Sequence, residues 1–274
     1  MEKFQLSPFT TIKGIGASSG LVYQDNSLFI VSDNSTFLYE FKLNEKILDK
    51  IKLYENSQES IAKKDKADFE AITLFDNKLY LFGSGSTKKR VRRFTFNLEN
   101  KEIKEKSLSK IYKRLRETIT LADDELNIEG VIISEKTIYF FQRGNGANAQ
   151  NGVFLYDKES KTVQFNLITL PKINGIEATF TDAILIENTI YFLAAAENTT
   201  STYNDGEIMG SIMGTIDLKT MTLESWLQIS DKQKFEGLTL HKKTATQIEL
   251  LLCEDNDSEE LVSVIYKLTL ISNS

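Results

Sequence analysis

One cysteine, one histidine and two prolines in 274 residues remove several kinds of chemistry from consideration. Cys253 has no partner for an internal disulfide and cannot form a thiolate metal cluster. His241 stands alone, which excludes the HExxH zinc pattern and any multi-histidine centre and leaves one candidate for a histidine-based triad. Such chemistry as the chain performs must rest on carboxylates. Basic charge is also in deficit, with 33 Lys and Arg against 39 Asp and Glu. The net charge of −6 gives no general footprint for nucleic acid, and no such partner is expected, whereas a small anionic substrate or ligand remains compatible. No stretch approaches the roughly 20 apolar residues of a membrane helix. The N-terminal MEKFQLSPFT lacks an apolar signal core, so the sequence reads as cytoplasmic, or as periplasmic or extracellular if a leader has been removed.

What is present is a repeat. GASSGLVYQDNSLFIVSDN, KADFEAITLFDNKLYLFGSGS, LNIEGVIISEKTIYFFQRGN, GIEATFTDAILIENTIYFLAAAEN and KFEGLTLHKKTATQIELLLCEDND share one layout. Each places an acidic or hydroxyl marker before a small residue: Ser19-Gly20, Glu70-Ala71, Glu129-Gly130, Glu177-Ala178 and Glu236-Gly237. A second apolar strand follows, centred on Phe29, Tyr80 and Tyr139 ten residues after the marker and on Tyr191 and Leu250 fourteen after it. Marker spacings are 51, 59, 48 and 59, and the interval from Glu236 through the C-terminus to Ser19 is 57, as circular closure requires.

A period of this length in β-rich sequence predicts an all-β, five-bladed β-propeller with four-stranded antiparallel blades around a central channel. Third strands read as TFLYEF, VRRFTF, GVFLYD, SIMGTIDL and VSVIYKLTL, and fourth strands as KILDKI, KEIKE, TVQF and TLESWL. The fifth unit runs out of chain, so Phe4-Gln5-Leu6 is expected to complete it and close the ring. Blades are expected near residues 15–53, 66–105, 126–166, 174–228 and 232–274 plus 1–8, all in one domain. Pro8 and Pro171 are read as lying outside the strands. Leu108, Ile111, Tyr112, Leu115 and Ile119 recur at helical spacing opposite Lys110, Lys113, Arg114 and Arg116, which predicts a helical insertion over 107–119.

First strands of propeller blades line the channel, so Ser19, Glu70, Glu129, Glu177 and Glu236 are expected to converge on the axis. Carboxylates gathered there repel unless protons or a cation intervene. Oxygen donors without nitrogen or sulfur favour Ca²⁺, with Mg²⁺ second because of its strict octahedron. Alternatively, each Glu caps strand-end amides or pairs with Lys or Arg.

At these residues the chain resembles the calcium-dependent five-bladed apyrases and, more loosely, the esterase-like phytase domain and related uncharacterised bacterial propellers. Ser19, Glu70, Glu129 and Glu236 stand where the apyrase pattern has Ser, Glu, Glu and Glu, while Glu177 departs from its usual Ser. The apyrase loop Asp-Asp-Arg-Thr-Gly reads here Ser32-Asp33-Asn34-Ser35-Thr36, and Gly-Lys-Glu-Trp is replaced by Gly85-Ser86-Thr87-Lys88. Blade three keeps one of two arginines, Arg143.

Three functions fit this pattern. One is a metal-dependent hydrolase of a phosphate ester or anhydride, with Asp33 orienting water, Arg143 neutralising charge, and Lys88, Asn145 and Glu197 contacting substrate from upper loops. A second is a non-catalytic ligand- or protein-binding propeller with a structural axial ion, and a third is a sugar-acid lactonase. The run KKRVRR, Lys88 to Arg93, reads either as a phosphate holder or as an exposed third strand. CEDNDSEE lacks the glycine and terminal glutamate of an EF-hand and reads as an upper loop. GNGANAQNG reads as a flexible loop, and His241 as structural on the opposite face.

Overall fold

The computed structural model describes residues 3–146, 148, 150–199, 206–255 and 261–271. It is a five-bladed β-propeller whose blades are antiparallel four-stranded sheets. The chain enters on β1 (Lys3–Lys13) and builds blade one from β2 (Ser18–Gln24), β3 (Ser27–Ser32), β4 (Phe37–Lys42) and β5 (Ile47–Lys52). Blade two follows with β6 (Phe69–Phe75), β7 (Lys78–Gly83), β8 (Arg92–Asn97) and β9 (Ile103–Ser107), and then helix α1 (Ser109–Ile119). Blade three is β10 (Ile128–Ile133), β11 (Thr137–Gln142), β12 (Gly152–Asp157) and β13 (Val163–Leu167). A small hairpin of β14 (Lys172–Ile173) and β15 (Ile176–Glu177) precedes blade four, which is β16 (Thr179–Ile186), β17 (Thr189–Asn198), β18 (Glu207–Asp217) and β19 (Leu223–Ser230). Blade five takes β20 (Lys234–Lys243), β21 (Gln247–Asp255) and β22 (Val262–Ile271), with β1 as its outer strand.

Local chemistry explains the hairpins. Asp25-Asn26 and Asp76-Asn77 both have φ near +50° to +63° and close two-residue turns between Gln24 and Ser27 and between Phe75 and Lys78. Asn and Asp tolerate this left-handed backbone, which matches strand twist. Innermost strands β2, β6, β10, β16 and β20 pack in cyclic order, with β20 returning to β2. Between them lie apolar layers, such as Phe69, Leu81, Phe94 and Phe96 between blades one and two, and Phe141, Phe180, Phe192 and Ile212 around blades three and four. Rings in these layers meet edge to face, as Phe141 and Phe180 do at 5.3 Å between centroids.

Closure involves more chain than Phe4 to Leu6. β1 pairs with β22 from Lys3↔Ile271 to Lys13↔Val262, with a bulge at Phe9. Pro8 therefore lies inside a strand, contrary to expectation. An outer strand accommodates proline because one of its sides has no ladder to supply. Helix α1 buries Tyr112 and Leu115 against blades two and three, and no described helix is long and apolar enough to cross a membrane.

Candidate cation site at the channel mouth

Every innermost strand begins with a one-residue bulge, and the bulged residues are Ser19, Glu70, Glu129, Thr181 and Glu236. Bulges re-aim a side chain at the rim of a sheet. Blade four thus corrects the sequence register: Thr181, not Glu177, occupies the marker position. Glu177 lies half-buried in the β14–β15 hairpin, paired in register with Lys172. The two hydroxyl markers make the same contact. Ser19 Oγ donates to the Phe69 carbonyl, and Thr181 Oγ1 donates to the Phe235 carbonyl at 2.7 Å, each one residue before the next blade's glutamate.

The residue after each marker faces the next blade. A Cβ on Gly130 would lie 2.9 Å from Ala183 N and 3.1 Å from Asp182 Cα, and one on Gly237 would lie 2.8 Å from Gly20 Cα. Blade four departs again, with Asp182 in this place. Its carboxylate accepts the amides of Ala183 and Leu238, each at 2.7 Å, and so ties blade four to blade five. Burial nevertheless pushes its pKa well above the usual carboxylate range.

Two further positions of the repeat carry the polar site. Two residues before the bulge stand Ala17, Asp68, Asn127, Thr179 and Lys234, and beside them on the second strand's end stand Asp33, Ser84, Arg143, Ala195 and Asp255. Backbone contacts fix these pairs: Ser84 N donates to Asp68 O at 3.0 Å, Arg143 N to Asn127 O at 2.8 Å, and Thr179 and Lys234 are register partners of Ala195 and Asp255.

Blades one and two assemble an acidic half. Among the described residues, Asp33, Asp68 and Glu70 form the group whose carboxylate oxygens lie within 4.8 Å of one another. Lys66 bonds Asp33 and approaches Asp68 at 3.4 Å, while Arg90 meets Asp68 at 2.8 Å and also donates to Ser86 Oγ and Lys63 O. Burial would lower the Lys66 pKa, but Asp33, Asp68 and Glu70 outweigh it and raise it. Burial raises Asp33 against the pull of Lys66. Glu70 is half-buried and has no hydrogen bond or ion pair among the described residues. Burial first, and then Asp68, Glu129, Asp33 and Glu236, push its pKa well up. Carboxylates of blades one, two, three and five thus act on one another across the axis.

Blades three to five assemble a cation-centred half. Arg143 is 6% exposed and spends its guanidinium on Glu197, on Glu129 at 3.3 Å and on Thr179 Oγ1 at 3.3 Å. Glu129 also accepts from Asn127 Nδ2 at 2.7 Å, and that amide reaches Asn145 Oδ1 at 3.5 Å. Lys234, equally buried, meets Glu236 at 2.8 Å, Asp255 at 3.4 Å and Glu197 at 3.9 Å. Burial raises Glu236 well above its ordinary value despite Lys234, and raises Glu129 despite Arg143.

The sequence-derived candidates therefore divide. Glu70, Glu129 and Glu236 converge with Asp33, Arg143, Asn145 and Glu197. Ser19 is engaged in the inter-blade bond, and Lys88 is exposed on a 3₁₀ turn (Lys88–Arg90) from which Arg90, not Lys88, reaches the carboxylates. Lys66, Asp68, Arg90 and Lys234 were not foreseen. His241 lies elsewhere, half-buried between the rings of Phe9 and Tyr23 and 3.1 Å from Glu249. Of CEDNDSEE, residues 256–260 lie outside the described residues, as do 147 and 149 of GNGANAQNG.

The chemistry of this donor set suits a hard divalent cation in the acidic half: three carboxylates whose mutual spacing allows M–O contacts of roughly 2.3 to 2.6 Å. Two of the three already hold Lys66, so an ion would share or displace that ammonium.

Several solved structures share the architecture. The glutaminyl cyclase of Myxococcus xanthus superposes with a TM-score of 0.56 at 9% identity, covering 98% of this chain and 97% of that one. An exo-1,5-α-L-arabinanase from a bovine ruminal metagenomic library gives 0.54 at 9% identity, covering 95% and 97%. A thermostable family-43 glycoside hydrolase gives 0.53 at 12% identity, covering 93% and 89%. At these identities the likeness is one of fold alone. No curated protein matches in sequence. A family model does match, over residues 14–270 and hence across all five blades, and the chain belongs to that family, DUF6929, a family of unknown function.

Proposed function

We propose that this propeller binds a divalent cation, Ca²⁺ in preference to Mg²⁺, on Asp33, Asp68 and Glu70, and hydrolyses a phosphate ester or anhydride beside it. The observation that carries the reading is the convergence of those three carboxylates within 4.8 Å at the start of the innermost strands. When bound, the ion would supply charge to polarise a phosphoryl oxygen and acidify water. In this reading Glu129, oriented by Asn127 and Arg143, would accept a proton from attacking water. Arg143 has its donors committed to Glu129, Glu197 and Thr179, so it acts as a positioning residue instead of a phosphate ligand.

A second reading, a binding propeller whose ion is structural, is favoured by the buried cations Lys66, Arg90, Arg143 and Lys234, each bonded to at least one carboxylate. One experiment separates the two. Phosphate esters, nucleotides and sugar-acid lactones are assayed with Ca²⁺, Mg²⁺ or chelator, alongside Asp68→Asn and Glu70→Gln. Ca²⁺-dependent turnover of a phosphate ester, lost in both variants that remain folded, is the expected outcome. Ca²⁺-dependent thermal stability without turnover would establish the structural ion. Absence of any Ca²⁺ effect on stability or turnover would overturn both.

A further inference from the structure

Three Asn-Gly steps occur in this chain, at Asn145-Gly146, Asn151-Gly152 and Asn174-Gly175. An asparagine side chain holds an amide carbon within reach of the next backbone nitrogen, and glycine has no Cβ to obstruct their approach. Attack by that nitrogen needs a carboxamide free to turn, a glycine N–H not held by a hydrogen bond, and a backbone able to leave its resting conformation. The fold meets these conditions unequally at the three positions.

Asn151 is buried, its Nδ2 donates to Ile168 O at 2.9 Å, and its Oδ1 accepts from Phe180 N at 3.0 Å. Gly152 lies inside the ladder of blade three, in register with Gln142 and Leu167. Asn145 is also engaged, its Oδ1 accepting from Asn127 Nδ2 at 3.5 Å. Asn174 differs. It and Gly175 are exposed, and among the described residues neither its carboxamide nor Gly175 N makes a hydrogen bond. A Cβ on Gly175 would have nothing within 4 Å, so the flank of the nitrogen is open. With φ of +50° and +85°, the two residues form the turn between register partners Ile173 and Ile176. Two register pairs and one flanking bond, from Ala178 N to Pro171 O at 2.9 Å, hold this hairpin, which belongs to no blade. So short a ladder opens at low free energy, whereas freeing Asn151 requires disruption of a four-stranded sheet.

We propose that Asn174 is a site of spontaneous covalent modification, at which the side chain is converted through a succinimide to aspartate and isoaspartate with water as the only co-reactant. Gly175 N, deprotonated by hydroxide, attacks Cγ of Asn174. The N–Cγ bond forms, the Cγ–Nδ2 bond breaks, and Nδ2 leaves as ammonia. Water then opens the ring at either carbonyl. Cleavage between Gly175 N and Cγ leaves aspartate. Cleavage between Gly175 N and the Asn174 backbone carbonyl leaves isoaspartate, with Gly175 joined through the side chain. Nothing is oxidised or reduced. Either product adds one negative charge to the net −6 of the chain. Isoaspartate also inserts a methylene into the turn that holds Ile173 and Ile176 against the apolar cluster around blades three and four.

The test keeps the full chain native at mildly alkaline pH and, in parallel, unfolded in urea. Peptide mapping by mass spectrometry follows the gain of about 1 Da that marks conversion of an amide to an acid at each Asn-Gly step. In the native chain Asn174 is expected to react at least about tenfold faster than Asn151, and ahead of Asn145, because the free energies of local opening differ. In urea the three rates should converge, since only the fold separates them. Ion-exchange chromatography should show an acidic form growing at the rate measured for Asn174 and missing from Asn174→Gln. A native Asn174 no faster than Asn151, an Asn145 that outpaces it, or the native order persisting in urea overturns the proposal.

Discussion

Replacing Arg143 by Met is the most incisive test of the network at the channel mouth. The guanidinium joins Glu129 and Glu197, which are 3% and 7% exposed, and its loss leaves both buried without their main counter-charge. Lys234 remains 3.9 Å from Glu197 and compensates only in part. Breaking a buried pair from one side typically costs about 3 to 5 kcal/mol, and that is the loss expected at pH 7. Urea denaturation of both proteins, with linear extrapolation to water, measures it. The deficit has a defined pH dependence. Burial already raises Glu129 above its ordinary value, and removing Arg143 raises it further, so the variant's folded state takes up protons more readily than its unfolded state. Its loss should therefore shrink as pH falls toward the ordinary glutamate range and grow as pH rises. The double variant Arg143→Met with Glu129→Gln should recover a large part of the loss. A deficit below about 1 kcal/mol, the scale of exposed ion pairs, would show that water screens these groups and would refute the account.

Other consequences are equally direct. Glu70 has a raised folded-state pKa, so its favourable contribution is complete below the ordinary glutamate value and is lost as pH climbs through the raised one. Glu70→Gln should gain thermal stability over wild type at pH 8 and not at pH 4, and a difference independent of pH would contradict this. Gly130→Ala drives a Cβ to 2.9 Å from the backbone of the next blade and should cost about 1 to 3 kcal/mol by chemical denaturation. Thr181→Val removes the bond to Phe235 O and should cost about 1 kcal/mol, whereas Glu177→Gln should stay within about 0.5 kcal/mol. The reverse order would restore Glu177 to the ring.

Much of this molecule is written in its repeat, though not all of it in the most conspicuous residues. Apolar second strands recur in all five blades and a small residue follows the marker in four of them, because both are demanded by close approach of adjacent sheets. Glu177 stands out by its charge, but spacing favours Thr181. In three blades the second strand is centred ten residues after the marker, and ten residues before Tyr191 is Thr181. Marker spacings then become 51, 59, 52 and 55, more even than before. Asp68 and Lys234 were also accessible, since both stand two residues before a marker. Lys66 and Arg90 were not, because a side chain's reach into a neighbouring half-site depends on the conformation of loops that carry no periodicity. The β14–β15 hairpin likewise has no counterpart in other blades, and the repeat gave no sign of it.

The pairing of Lys3 with Ile271 brings the two ends of the described chain side by side on adjacent strands. In a ring of near-equivalent sheets, the point at which the polypeptide is cut is then a matter of connectivity and not of architecture. Joining β22 to β1 by a short turn and opening the chain between blades should yield a permuted protein with the same five sheets. It would also turn the most distant strand pairing in the molecule into a local hairpin. Because loop closure across the whole chain slows folding more than it alters stability, such a permutant should reach the native ring sooner while unfolding at nearly the same denaturant concentration.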